Sequence, residues 1–318
     1  MMNRYLAVLL ALLILLAATN MIARAAIPAP AKAVGFRNLT FSSHFSKGSI
    51  GVTKPFEAGK KWYIWSFFGQ HANPATLHFN LDHTLTLEGG PTGPNGQIAT
   101  AAPSNNVKGY VGEAFGGGAY IEATLAFQPE NEVRQHFRGH PSFWSMALEH
   151  LVDSKLHADA LTDLHKFKNF VEVDIFEYDL LQYLHVTNVY GGTAHDWYGN
   201  WKKSCERGFC SFNDLNISRW IPADTKLTNF HQYAVLWYPA TATSQGYLQY
   251  YFDGKPVGNR VHWKKCGKNT SPKMAGYSPF CVLDSQHLVL ILGTGRGEPM
   301  IIRDARVYQS SSARDVVN

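Results

Sequence analysis

Three carboxylates interrupt an apolar run at Val171-Glu172-Val173-Asp174-Ile175-Phe176-Glu177. The run reads as a β-strand, in which alternate side chains share a face, so Glu172 and Asp174 point one way and Glu177 the other. A β-bulge that absorbs one residue near Ile175 or Phe176 returns Glu177 to the face of the first two acids. The two glutamates then stand about four strand steps, or ~13 Å, apart along the backbone. Side chains leaning inward can close that gap toward the ~5–5.5 Å of the carboxyl pair in a retaining glycosidase. Asp174 between them adds like-charge repulsion and a hydrogen-bonding group, conditions that keep one glutamate protonated and the other ionised. That is chemistry for a glycosidic bond. The competing reading is a solvent-facing strand decorated with acids.

Other residues weigh on this choice. Gly139-His140-Pro141-Ser142-Phe143-Trp144 precedes the acids, and an aromatic ring such as Trp144 stacks on the apolar face of a sugar as it does on other rings; core packing is its alternative. Competing chemistries lack their motifs. Gly293-x-Gly295-x-Gly297 has the wrong spacing, and no helix follows, for a dinucleotide loop. The chain has 14 His but no His-Glu-x-x-His pair for a zinc protease. No paired Cys-x-x-Cys spacing points to zinc, and no metal ligand set is assigned.

The elements that must position the acids read as short strands separated by Gly, Pro and Asn. Ala119 to Phe127 places Ile121, Ala123, Leu125 and Phe127 on one face and Tyr120, Glu122 and Thr124 on the other. Leu77 to Leu87 alternates loosely, and further strands read over Phe170 to Tyr178, His231 to Tyr238, Tyr247 to Phe252, His287 to Leu292 and Met300 to Tyr308. Asp253-Gly254 has hairpin-turn chemistry. Ser145 to Leu164 dissents, with leucines spaced for one or two short helices. No repeat or linker divides the chain, so the pattern predicts one all-β unit, an antiparallel β-sandwich of two sheets with a short helical insertion.

Composition agrees. Of 318 residues, 13% are aromatic and only 17% charged, against about 25% charged in an average domain. The net charge of +5 is spread along the chain, without the Lys and Arg clusters that announce nucleic-acid binding. Arg4, the apolar run from Tyr5 to Ala18 and the small residues around Ala25 read as an export signal over 1–25. The apolar run falls short of the roughly 20 residues that span a bilayer, so no stable membrane insertion is expected after cleavage. Pro28 and Pro30 mark an extended leader over 26–35, and a single domain is expected over 36–318. Export would let the four cysteines pair. Three connectivities are possible; proximity favours Cys205 with Cys210 and Cys266 with Cys281. A monomer is expected.

Together these residues resemble the family 16 glycoside hydrolases of the concanavalin A-like jelly-roll group, over most of the mature chain. Glu172-Val-Asp174-Ile-Phe-Glu177 is similar to that family's bulged Glu-x-Asp-x-x-Glu signature. Gly118-Ala-Tyr-Ile-Glu-Ala123, Pro141-Ser-Phe-Trp144, Phe230-His-Gln-Tyr-Ala-Val-Leu-Trp237, Tyr251-Phe-Asp-Gly254 and Arg303-Asp-Ala-Arg-Val-Tyr308 are similar to its other strand motifs, in order. The resemblance implies a retaining double displacement, with Glu172 the nucleophile, Glu177 the general acid and then base, and Asp174 orienting Glu172 and modulating its charge. It also implies Trp144 as part of a sugar platform and His185 near the scissile bond; Trp197 is a second candidate platform.

The family's properties further imply a secreted endo-acting enzyme on a β-linked polysaccharide, with β-1,3- or β-1,3-1,4-glucan expected and no catalytic cofactor. Many relatives carry a structural calcium, and Asp304 stands in the matching last strand. His140 and Gly293 to Pro299 depart from aromatic positions of the family, which bears on the substrate. The alternatives are a transglycosylase, a galactan hydrolase of agar or carrageenan type, or a non-catalytic carbohydrate-binding lectin.

Overall fold

The period-two alternation predicts strands, and strands dominate the computed structural model, which describes residues 26–65, 72–89, 96–106, 108–127, 141–152, 169–177, 189–198, 211–222, 224–267, 277–294 and 299–310. The first half carries helix α1 (Ala29–Ala33) and strands β1 (Asn38–Ser43), β2 (Ile50–Gly51), β3 (Trp62–Ile64), β4 (Leu77–Phe79), β5 (Leu85–Leu87), β6 (Gln97–Ala99), β7 (Ala101–Pro103), β8 (Tyr110–Gly112) and β9 (Ala119–Phe127). The second half carries β10 (Ser142–Ala147), α2 (Leu148–Val152), β11 (Asn169–Glu177), β12 (Val189–Tyr198), β13 (Ser211–Trp220), β14 (His231–Tyr238), β15 (Gly246–Phe252), β16 (Lys255–Trp263), β17 (Leu288–Gly293) and β18 (Met300–Gln309).

One eight-stranded sheet runs β16-β15-β14-β9-β18-β5-β4, with β1 also paired to β18. The other runs β13-β12-β11-β10-β17-β6-β3-β2, and β7 with β8 forms a small ribbon. Pairing is antiparallel apart from the short β2–β3 pair, which is parallel. The inner faces meet in one core: Ile121, Ala123 and Leu125 of β9 and Val235 and Trp237 of β14 face Val171, Val173 and Ile175 of β11 and Leu290 and Leu292 of β17. This is the two-sheet sandwich that the strand pattern predicts and the jelly roll that the resemblance implies.

Several local expectations need correction. The extended leader over 26–35 contains α1 instead. Pro28 caps this helix and Pro30 falls in its first turn, where a missing N–H breaks no helical bond. Ala31 is fully buried beside Phe36, Tyr120 and Tyr308, so packing on the outer face of β9 favours the helical turn. The alternation over Leu77 to Leu87 is two strands, β4 and β5, around a turn in which Asp82 Oδ1 accepts from the Thr84 N–H at 3.2 Å and its hydroxyl at 2.8 Å. Of the helical expectation over Ser145 to Leu164, Ser145 to Ala147 continue β10 and only α2 is helical; the remainder lies outside the described residues, as does the expected signal over 1–25. The hairpin at Asp253-Gly254 forms as expected, with φ of 47° and 72°, the paired positive values of a type I′ turn.

Candidate active site

β11 holds the three acids on one face by breaking its own alternation. Opposite it on β10, Met146 pairs with Glu172, Trp144 with Asp174, Phe143 with Phe176 and Ser142 with Glu177, so Ile175 is passed over. Ile175 and Phe176 are consecutive, yet both side chains enter the inter-sheet core. Phe176 stacks on Phe127 at 5.0 Å. Burying both apolar residues turns Glu177 to the side of Glu172 and Asp174, and the Tyr190 hydroxyl on β12 donates to the Ile175 carbonyl. A bulge leaves a ladder group without its strand partner; here a buried phenol from the neighbouring strand satisfies it.

The acids' face is the outer one of their sheet. Trp144, Met146, Phe170, Val289 and Ile291 form an apolar cluster there, with Trp197 packed against it. Trp197 Nε1–H donates to Glu172 Oε2 at 2.6 Å, and His195 Nε2 lies 3.1 Å from Asp174 Oδ2. Both contacts run diagonally across the β11–β12 pair, because the Cα partners are Glu172 with His195 and Phe170 with Trp197. Long side chains reach such diagonal neighbours readily. The His195 and Trp197 rings stack at 5.0 Å and 21°, Phe170 lies nearly parallel to Trp197 at 6.4 Å, and His150 stacks on Phe170 at 3.5 Å.

The three acids differ in exposure: Glu172 is 7% exposed and Asp174 1%, whereas Glu177 is partly exposed. Burial raises the Glu172 pKa well above the ordinary carboxylate value, and the negative charge of Asp174 adds to this. His195 and the Trp197 N–H act the other way. An indole N–H can only donate, so it anchors Oε2 as an acceptor and leaves Oε1 for other chemistry. A carboxylate with one oxygen held by a donor can attack an electrophilic carbon with the other; a second carboxyl on the same face can deliver or remove a proton.

Of the expected site residues, Glu172, Asp174, Glu177, Trp144 and Trp197 share this face. Trp197 contacts Glu172 directly, a role beyond the expected platform. His185, Cys205 and Cys210 lie outside the described residues. Cys266 and Cys281 form the expected disulfide. Asp304 lies 3.3 Å from Arg303 Nε and 3.5 Å from Arg306 Nη2, and no group of three His, Cys, Asp or Glu among the described residues is arranged to hold a metal. The sequence reading does not single out His195 or Tyr190. For His195 a signal exists, since it lies two residues before Trp197 on a strand and therefore shares its face.

The two antiparallel sheets packed face to face make a concanavalin-like jelly roll, a fold that solved structures share. An endo-1,3-β-glucanase from Streptomyces sioyaensis superposes with a TM-score of 0.53 at 15% identity, covering 86% of this chain and 96% of that one. A GlcNAcα1-4Gal-releasing endo-β-galactosidase from Clostridium perfringens superposes with a TM-score of 0.50 at 14% identity, covering 87% of this chain and 64% of that one. At these identities the likeness is one of fold. No family model matches the sequence, and no curated protein matches it. No helix among the described residues is long and apolar enough to cross a membrane.

Proposed function

We propose that the protein is an exported, endo-acting, retaining hydrolase of a β-linked polysaccharide, with β-1,3- or β-1,3-1,4-glucan as its substrate. The observation that carries this reading is the bulge at Ile175, which sets Glu172, Asp174 and Glu177 on one face beside Trp144 and Trp197. The Cys266–Cys281 disulfide supports export, and the two fold neighbours act on a β-1,3-glucan and a β-galactoside by their names.

In the proposed reaction Glu172 Oε1 attacks the anomeric carbon while Oε2 stays on the Trp197 N–H. The bond from that carbon to the bridging oxygen breaks, and Glu177 gives its proton to the departing sugar. Glu177 then takes a proton from water, whose oxygen attacks the same carbon and releases Glu172. Asp174, paired with His195, orients Glu172 and modulates its charge. His195 and the indole N–H both sit at the Glu172–Asp174 end, where they oppose the raising effect of burial on the Glu172 carboxyl. No step calls for a cofactor.

Product release from laminarin, mixed-linkage glucan, xyloglucan, agarose and carrageenan tests the reading. Oligosaccharides from one polymer, lost in both Glu172→Gln and Glu177→Gln, are expected. Equal release by Glu172→Gln would overturn it, and retention of a polymer without release would mark a binding protein.

A further inference from the structure

Between His195 and Trp197 stands Asp196, whose side chain enters the interior and is fully buried. Tyr277 Oη donates to Asp196 Oδ2 at 2.6 Å, and the Phe280 N–H donates to the same oxygen at 2.9 Å. Tyr277 Oη also accepts from Asn169 Nδ2, at the start of β11, at 2.7 Å. Gln286 completes the grip on β11: its Nε2 donates to the Asn169 carbonyl at 2.9 Å, and its Oε1 accepts from the Val171 N–H at 3.1 Å. Segment 277–286 therefore holds β11 and β12 beside the residues that carry Glu172 and Trp197.

The same segment is anchored elsewhere. The Cys266–Cys281 disulfide ties it to the chain leaving β16. Asp284 accepts from Trp263 Nε1 at 2.8 Å, Ala240 N–H at 2.9 Å and Trp237 Nε1 at 3.2 Å, which joins it to the opposite sheet. β12 needs such support at this end. Its register with β13 shifts between Asp196 and Trp197, so that Phe212 is passed over, and β13 is the edge strand. A ladder interrupted beside an edge holds its end weakly, whereas hydrogen bonds to a buried carboxylate are strong and directional.

We infer that Asp196 is a positioning residue for the acid site: clamped by Tyr277 and Phe280, it fixes the end of β12 so that Trp197 meets Glu172 and His195 meets Asp174. Its consequence for turnover rests on the hydrolase reading; its consequence for the Trp197 contact does not.

The test uses protein labelled at the indole nitrogens, with the Trp197 resonance assigned by its loss in Trp197→Phe. In Asp196→Ala and Tyr277→Phe, exchange of the Trp197 indole proton with solvent should quicken by about tenfold or more, while that of Trp62, held by Ser43, stays unchanged. On the responsive polymer, kcat should fall about 10- to 100-fold with KM within about twofold. Asp196→Asn, which keeps an acceptor for the Phe280 N–H, should restore most of both. Asp284→Asn loosens the other anchor of the same segment and should leave Trp197 exchange near wild type. Unchanged Trp197 exchange in both Asp196→Ala and Tyr277→Phe, or an equal response in Asp284→Asn, overturns the inference. Should the wild type release nothing while Trp197 exchange responds as expected, the hydrolase reading fails and the positioning role stands.

Discussion

The bond between Trp197 and Glu172 decides which oxygen of the carboxylate is available, and it bears on when the group ionises. Burial and Asp174 raise the Glu172 pKa, and the indole N–H partly opposes them. Removing that donor leaves the raising influences in place, so the Glu172 pKa should climb further. The proposed mechanism needs Glu172 ionised and Glu177 protonated, which gives a bell-shaped dependence of kcat/KM on pH whose limbs belong to the coupled acids. Trp197→Phe should move the acid limb to higher pH and lower kcat by about tenfold or more. A pH–rate profile of the variant checks this; an acid limb that stays in place, or moves down, refutes it. Glu172 and Glu177 are legible in the sequence because acids in an apolar strand are conspicuous. His195 is less so: its spacing from Trp197 marks a shared face, but its contact with Asp174 depends on how β12 registers against β11.

The bulged strand is the element on which the site depends, and its support comes from β12. Tyr190→Phe keeps the ring, which packs near Phe176 and Tyr233, but leaves the Ile175 carbonyl without its donor. A buried acceptor stripped of its partner costs about 1–3 kcal/mol, so thermal unfolding should occur at lower temperature, and product release should fall as Glu177 loses its aim. A variant with wild-type melting and turnover would show that the bulge needs no such support. The bulge itself is predictable from the acids' spacing, since plain alternation cannot put residues 172 and 177 on one face. α1 is not, because two prolines in so few residues read as extended chain and only the contact of Ala31 with the outer face of β9 reverses that preference. β4 and β5 merge into one run in the sequence because Asn80 and Asp82 organise their turn with side-chain bonds, without the Gly that usually marks a hairpin.

Across the whole molecule, buried carboxylates tie stability to pH. Asp196 is raised to about 6 and Glu122 to about 7, in each case chiefly by burial. Unfolded, such groups titrate near 4. The folded chain therefore binds more protons between about pH 4 and 7, so these groups' contribution to stability is fully present below about pH 4 and is lost as pH rises through 6 and 7. Each shift corresponds to on the order of 3 kcal/mol. Thermal unfolding followed across this range should show stability declining toward neutrality, with the decline flattened in Glu122→Gln, which retains an acceptor for one of the two donors, Gln232 and Arg306. A profile unchanged by that substitution would remove Glu122 as a cause.

The bulge at Ile175 also makes the interval between the two glutamates a counted quantity. Losing one residue between them would return the strand to plain alternation over four steps, and the acids would keep their common face without a bulge. The core would then lose one of the two consecutive apolar side chains, Ile175 and Phe176, that enter it. Inserting one residue instead would also restore plain alternation, now over six steps, and would carry the acids about two strand steps further apart. Descent from a common ancestor can therefore rewrite the letters of this strand more freely than its length, and distant kin of the chain are better sought by that interval than by resemblance at any single position.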